Sequence, residues 1–194
     1  MKLTRKTKRL TIRPLAPKDF AAWKAAHVLM SEKKNLWDIG ARPHRELTRA
    51  EFKKVLAEQK KRIKQDVYYS LAVFDRKDTL VGMTSIMEVA RGITHTAFLG
   101  YRIFNPYWGL GYGKEAVKAT IDIAFRDIKL HRLEAGIEPQ NARSKNLAKA
   151  LGMRREGIKK RSLFLREKWV DLVMYTLTTE DVGIKFDASK LRRV

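Results

Sequence analysis

A mixed α/β fold is predicted for this chain by three observations. Segments that alternate polar and apolar residues are interleaved with segments whose apolar residues recur at helical spacing. Turn and cap residues stand where one period gives way to the other. Alternate glycines, Gly109, Gly111 and Gly113, join a strand-like run to a helix-like one. The resulting order is β-α-α-β-β-β-α-β-α-β-β.

Arg9 to Arg13 alternates as a strand, which Pro14 and Pro17 end. Asp19 to Met30 is an amphipathic helix with Phe20, Trp23, His27 and Met30 near one face. Glu32 to Leu47 is irregular around Gly40 and Pro43. Thr48-Arg49-Ala50-Glu51 is a capping box that opens a helix. The helix it opens runs to about Gln65, with Phe52, Val55, Leu56 and Ile63 inward and lysines outward. Tyr68 to Phe74 and Leu80 to Val89 form a hairpin over Asp75–Asp78, and Thr96 to Phe104 is the next strand. After the glycines, a helix from Glu115 to Ile128 buries Ala116, Val117, Thr120, Ile121, Ala124 and Ile128. Arg132 to Ile137 is a strand. A helix starting at Asn141 or Ser144 ends at Leu151, where Gly152 supplies a left-handed stop. Arg154 to Leu165 and Val170 to Thr178 make a last hairpin around Glu167-Lys168, and 182–194 is expected to be a loosely attached basic tail.

A length of 194 residues suits one domain over 1–194, with a core at about 9–181. The absence of cysteine excludes disulfides, thiolate metal sites and a cysteine nucleophile. His27, His44, His95 and His131 lie apart, so no metal is expected. No apolar stretch approaches the ~20 residues of a membrane span, and the basic start lacks the apolar region of a secretory signal. A cytoplasmic location without membrane contact is expected. The net charge of +21, from 42 Lys+Arg against 21 Asp+Glu, fits either a solvated surface or a polyanionic partner such as RNA, a ribosome or an anionic cofactor.

Trp108-Gly109-Leu110-Gly111-Tyr112-Gly113-Lys114 carries most of the functional signal. Glycine lets the backbone turn tightly and approach a ligand. The first amides of the following helix lack intrahelical partners and sit at the positive end of its dipole. Together these suit a phosphate or pyrophosphate. The sequence is not a Walker A loop, because Glu115 follows Gly113-Lys114. Nor is it a dinucleotide fingerprint, whose spacing is Gly-x-Gly-x-x-Gly near a first strand.

The element order resembles the GCN5-related N-acetyltransferase (GNAT) superfamily. Pro106 to Ala116 is similar to the loop of the RimJ/RimL-type ribosomal-protein-alanine N-acetyltransferases, as are His131-Arg132-Leu133-Glu134, Asn141-Ala142-Arg143-Ser144 and Leu151-Gly152-Met153. Val89-Ala90-Arg91-Gly92, Leu99-Gly100-Tyr101, Trp169-Val170-Asp171 and Leu177 to Asp181 resemble the RimJ branch in particular. The likeness runs from about Arg9 to Asp181.

The resemblance implies a central, mixed, mostly antiparallel twisted sheet of seven strands with about four helices. It implies acetyl-CoA as cosubstrate, with Trp108 and Gly109 in the loop and the pyrophosphate on the backbone N–H groups of Leu110, Gly111, Tyr112, Gly113 and Lys114. It implies pairing of the pantetheine arm with the backbone of Tyr101, Arg102 and Ile103, as an added strand would pair. A backbone N–H near Arg102 or Ile103 would face the developing oxyanion, Asn141 would hold the pantetheine amides and the helix start, and Ser144 would protonate the departing thiolate. Asn141 and Ser144 also have the make-up of a plain helix cap. Phe98 and Ser162-Leu163-Phe164 stand where relatives carry an acidic base. That leaves Glu88, His95 and Glu138 as candidates acting through water, with a free α-amine, of pKa about 8, needing little help.

The implied reaction is acetyl transfer to a primary amine, above all the N-terminal α-amine of a ribosomal protein, by a monomer or homodimer. A small amine or antibiotic as acceptor, and an RNA- or ribosome-associated CoA-binding protein with little turnover, are the alternatives. Trp37, Phe74, Met83 and Tyr107 could line the acceptor cleft.

Overall fold

The structure, a computed structural model, describes residues 2–30, 32–38, 40, 43–187 and 189. Eight strands form one sheet: β1 (Arg5–Lys6), β2 (Leu10–Arg13), β3 (Tyr68–Asp75), β4 (Leu80–Ala90), β5 (Thr96–Ile103), β6 (Arg132–Ile137), β7 (Arg154–Leu165) and β8 (Lys168–Thr178). Their spatial order is β1-β2-β3-β4-β5-β6-β8-β7. Every neighbouring pair is antiparallel except β5 and β6. The strand beyond the expected seven is β1, whose two residues are too few to show a period in sequence.

Four α-helices cover the sheet: α1 (Phe20–Leu29), α2 (Arg49–Lys64), α3 (Tyr112–Arg126) and α4 (Ala142–Ala150). Strand alternation sorts the core into two layers. Leu71 and Val73 of β3 join Val117, Ile123 and Ala148 of α3 and α4 on one face. Ala72 and Phe74 join Trp23 and Phe52 of α1 and α2 on the other. Each fully buried large apolar side chain contributes about 1.5–3 kcal/mol, so α3, which buries Val117, Ile121, Ile123 and Phe125, anchors the first layer.

Local chemistry explains the departures from the sequence reading. Phe52, Leu56 and Ile63 make one helical stripe, and Val55 lies at its margin, 37% exposed. The last hairpin turns at Arg166 and Glu167, both with positive φ, one residue earlier than expected. Two successive positive-φ residues suit the right-handed twist of a tight hairpin. The start of the tail is packed: Phe186 sets its ring edge on His95 and His131, at 5.4 and 5.2 Å. Lys190 to Arg193, the expected basic end, lie outside the described residues.

The feature that positions the site is the weak seam between β5 and β6. Their register covers only Thr96↔Arg132, Ala97↔Leu133 and Phe98↔Glu134. Beyond Phe98 the strands part while each keeps its outer partner, β4 and β8.

Candidate active site

Along a strand, backbone polar groups point alternately to the two edges. Phe104 N–H donates to Val81 O of β4, whereas His95 O accepts from His131 and Arg132 of β6. Past the last paired position, Phe98↔Glu134, the odd-numbered residues Tyr101 and Ile103 therefore turn their N–H and C=O groups into the gap. The same alternation applies to β6, where Thr179 N–H donates to His131 O and Gly136 is left facing the gap. The gap opens into a cleft of about 420 Å³ lined by Glu88, Phe98, Tyr101, Gly136, Ser144 and Leu163, among others. A sheet that is split at its centre leaves backbone groups ready for an extended ligand.

The glycine loop lies at the end of β5. Gly109 and Gly111 have φ of +84° and +74°, which a side chain would strain. Gly111 is the N-cap of α3, so the helix starts at Tyr112, earlier than the expected Glu115. Gly113 thus sits inside the first turn, where a Cβ would meet Leu147 and Ile103 only at ordinary contact distance. The N-terminal amides of α3 have no intrahelical partner, and Gly111 offers no side-chain cap. Lys114 is exposed beside them.

Beside the loop, with Arg143 over Trp108, Asn141 caps α4. Its Oδ1 accepts from Ser144 N–H at 3.1 Å. Ser144 Oγ lies 2.8 Å from the Tyr101 hydroxyl, which also donates to Ser144 O at 3.2 Å. Burial pushes the Tyr101 phenol up, against the opposing bond from Ser144, so it stays protonated near neutral pH. Two hydroxyls thus converge at the wall of the gap.

The three base candidates part company. Glu88 lines the cleft, exposed and at φ +52°, within the irregular stretch where β4 shifts register against β5. His95 lies at the far end of β5, buried, its Nδ1 3.3 Å from Lys129 O. Glu138 follows β6, 8% exposed, accepting from Trp37 Nε1–H at 2.8 Å and pairing with Arg166. Arg102 keeps exposed surface, but partial burial lowers its guanidinium below the ordinary value, against the pull of Asp38. Phe74, 1% exposed in the second core layer, is removed from the expected acceptor wall, and Met83 and Tyr107 pack against that layer. Leu163 and Ser162 reach the cleft because β7 bulges between Lys159 and Leu163. Asp171 Oδ1 accepts from Arg161 N–H at 2.9 Å and pins the bulge.

Two supports of the loop escaped the sequence reading. Glu115 Oε1 accepts from Thr7 Oγ1 and Arg9 N–H, at 2.6 and 2.8 Å, while Oε2 pairs with Arg9 Nε at 2.7 Å. Arg9 in turn donates to Leu110 O at 2.7 Å. Burial alone would lift the Glu115 carboxyl, but the bonds from Thr7 and Arg9 outweigh it and hold the pKa below its ordinary value. Trp108 Nε1–H donates to Ile103 O at 2.6 Å, so this carbonyl of the free edge is already taken. Arg143 lies 4.0 Å over the Trp108 ring. The only hint in sequence was the position of these residues beside known motifs.

A second cavity, of about 380 Å³ under Phe186 and Thr179, is walled by the end of α3 and the tail, with neither a free strand edge nor a helix N-terminus. Among the described residues, no helix is long and apolar enough to cross a membrane, and no group of three or more His, Cys, Asp or Glu could hold a metal ion.

Known proteins resemble this chain in sequence and fold. Residues 9–154 match the acetyltransferase (GNAT) domain family. The Bacillus subtilis (strain 168) protein named Probable N-acetyltransferase YjcK is 32% identical over 130 residues, 66% of this chain and 72% of that protein. The ribosomal protein uS5-alanine N-acetyltransferase of Escherichia coli (strain K12) is 36% identical over 114 residues, 59% of this chain and 58% of that enzyme. The fold is also that of Mycobacterium smegmatis RimJ in complex with CoA-disulfide, with a TM-score of 0.74 at 21% identity over 90% of this chain and 84% of that one. A split sheet with a glycine-capped helix beside it, and these matches, lead to one conclusion: the chain belongs to the GNAT family of N-acetyltransferases, acyltransferases that use acetyl-CoA.

Proposed function

We propose that this chain acetylates the N-terminal α-amine of a protein. The observation that carries the proposal is the coincidence, at one gap, of a free β5 edge, the unpartnered amides of α3 and the Tyr101–Ser144 pair. These residues fit acetyl-CoA. The amides from Leu110 to Lys114 would hold its diphosphate, and Tyr101, with the Ile103 N–H, would pair with the pantetheine arm. Bound there, acetyl-CoA supplies a thioester carbonyl open to a neutral amine. Ser144, hydrogen-bonded to Tyr101, is the proton donor for the thiolate. Glu88 is the acid on the cleft wall and takes the proton of the incoming ammonium through water. An α-amine near pKa 8 is already partly neutral at pH 7.

Likeness to the uS5-alanine acetyltransferase supports a ribosomal protein as acceptor. The net charge of +21 supports approach to an RNA-rich particle. The test has two parts. Titration calorimetry should register CoA binding, and thiol release should be faster with N-terminal peptides than with polyamines or aminoglycosides. Release with small amines alone refutes the protein acceptor, and absence of CoA binding refutes the site.

A further inference from the structure

Glu138 follows β6, and Asn105 lies in a short turn (Asn105–Tyr107) after β5. They therefore mark the C-terminal ends of the two strands that part around the cleft. The segment 32–38, from the α1–α2 connection, bridges these ends. Asp38 Oδ2 accepts from Asn105 Nδ2 at 2.7 Å, and the same Nδ2 donates to Glu32 O at 3.3 Å. One residue before Asp38, the Trp37 indole N–H donates to Glu138 Oε1 at 2.8 Å. The other Glu138 oxygen pairs with Arg166 from the β7–β8 turn. Trp37 and Glu138 are 101 residues apart, and Arg166 is a further 28 along. One carboxylate thus ties together two elements beside Ile137, a residue of the cleft lining.

The side of the sheet matters. Leu133, Ala135 and Ile137 of β6 enter the core layer of α3 and α4, so Glu134 and Gly136 belong to the opposite face, and Glu138, just past the strand, meets Trp37 from the α1–α2 connection. The α3 N-terminus and Ser144 are on the α3–α4 side. The segment 32–38 comes from the α1–α2 side, which is where an acceptor must approach if the first side is filled by cofactor. Both Glu138 oxygens are engaged and the group is 8% exposed, a poor arrangement for a base that must collect protons from solvent.

From this bridge, and resting on the acetyl-transfer reading above, we infer that Glu138 is a positioning residue that holds Trp37 across the acceptor entrance and so selects which amines reach the thioester. Glu138→Gln keeps an oxygen for the indole N–H, whereas Glu138→Ala removes it. Trp37→Phe keeps bulk and loses the donor.

The experiment is steady-state kinetics of the full chain with acetyl-CoA and a panel of N-terminal peptides that differ in first-residue size. Far-UV circular dichroism confirms the fold of each variant. Glu138→Ala and Trp37→Phe should raise KM for the best wild-type peptide by about tenfold or more, with kcat much less affected. They should also narrow the gap between small and bulky first residues. CoA affinity should stay within about twofold, and Glu138→Gln should restore most of the acceptor KM. The inference is overturned if Glu138→Gln loses kcat as severely as Glu138→Ala and the low-pH limb of the rate profile disappears, because Glu138 is then a base. It is equally overturned if CoA affinity falls while acceptor KM and selectivity hold. If Glu138→Ala does not fold, Trp37→Phe decides by the same two readouts. A wild-type protein that binds acetyl-CoA yet acetylates no amine removes the underlying reading. Uniform peptide selectivity across active variants removes only this inference.

Discussion

The Tyr101 hydroxyl and Ser144 Oγ stand 2.8 Å apart, bringing the free edge of β5 and the first turn of α4 to the same point of the cleft. Because the pair shares one hydrogen bond, the two groups should act as a unit. Ser144→Ala is expected to lower kcat by about 10²-fold, within the usual range for loss of one proton-transfer group. Tyr101→Phe should lower it less, and the double variant should be no worse than Ser144→Ala alone, since contacting residues couple. Thiol release under saturating acetyl-CoA measures this. Full additivity would mean that the hydroxyls work independently.

The loop glycines should differ in their tolerance. At Gly111, φ is +74° and a Cβ would sit 3.4 Å from an Arg9 nitrogen. Gly111→Ala is expected to cost about 1–2 kcal/mol and to weaken CoA binding. Gly113 lies within α3, where Gly113→Ala should be neutral or stabilising by up to about 1 kcal/mol. Its Cβ would face Leu147 and Ile103, so CoA affinity should hold within about twofold. Thermal melts and calorimetry on both variants compare them directly.

Asn141 separates capping from cofactor contact. Asn141→Ala removes the oxygen that accepts from Ser144 N–H and is expected to destabilise by about 1 kcal/mol. Asn141→Asp retains an accepting oxygen at the N-terminus of α4, so its melting temperature should stay near wild type. It loses the amide donor, so its CoA affinity should fall. Equal CoA affinity in Asn141→Asp would leave Asn141 with the cap alone.

Glu115 should make the loop sensitive to acid. Its folded pKa lies below its unfolded value, which is about 4.3. The sign follows from linkage: the stabilisation is present above the unfolded pKa and fades as pH falls through the folded one. Denaturant midpoints should therefore drop on acidification below about pH 4.3, and Glu115→Gln should flatten that part of the profile. At neutral pH Glu115→Gln should cost about 1 kcal/mol, since a partly buried anion at a helix N-terminus is lost. A midpoint profile identical to wild type across that range would rule out this role.

Much of the fold was legible because it is written locally. The Thr48 cap, the Gly152 stop and the turn at Asp75–Asp78 each depend on neighbours a few positions away. Gly109 and Gly111 pointed to the loop for the same reason, since their dihedral angles are a local demand. What stayed hidden was set by tertiary contact. Nothing near Glu138 in sequence announces Trp37 or Arg166, and its carboxylate looked as free as that of Glu88. Phe74 suited a pocket wall until two sheet faces had to be filled. His95 stands one residue before β5, yet nearly the length of that strand from the glycine loop, a distance that composition does not encode.

The short seam between β5 and β6 reverses a familiar ranking of amide protection. Central strands of a sheet ordinarily trade their hydrogens with solvent most slowly, because only large openings release them. Here Tyr101 and Ile103 belong to an interior strand but have no strand opposite their amides. In deuterated water they should label early, ahead of neighbours such as Arg102 that are bonded to β4, and saturating CoA should slow them selectively.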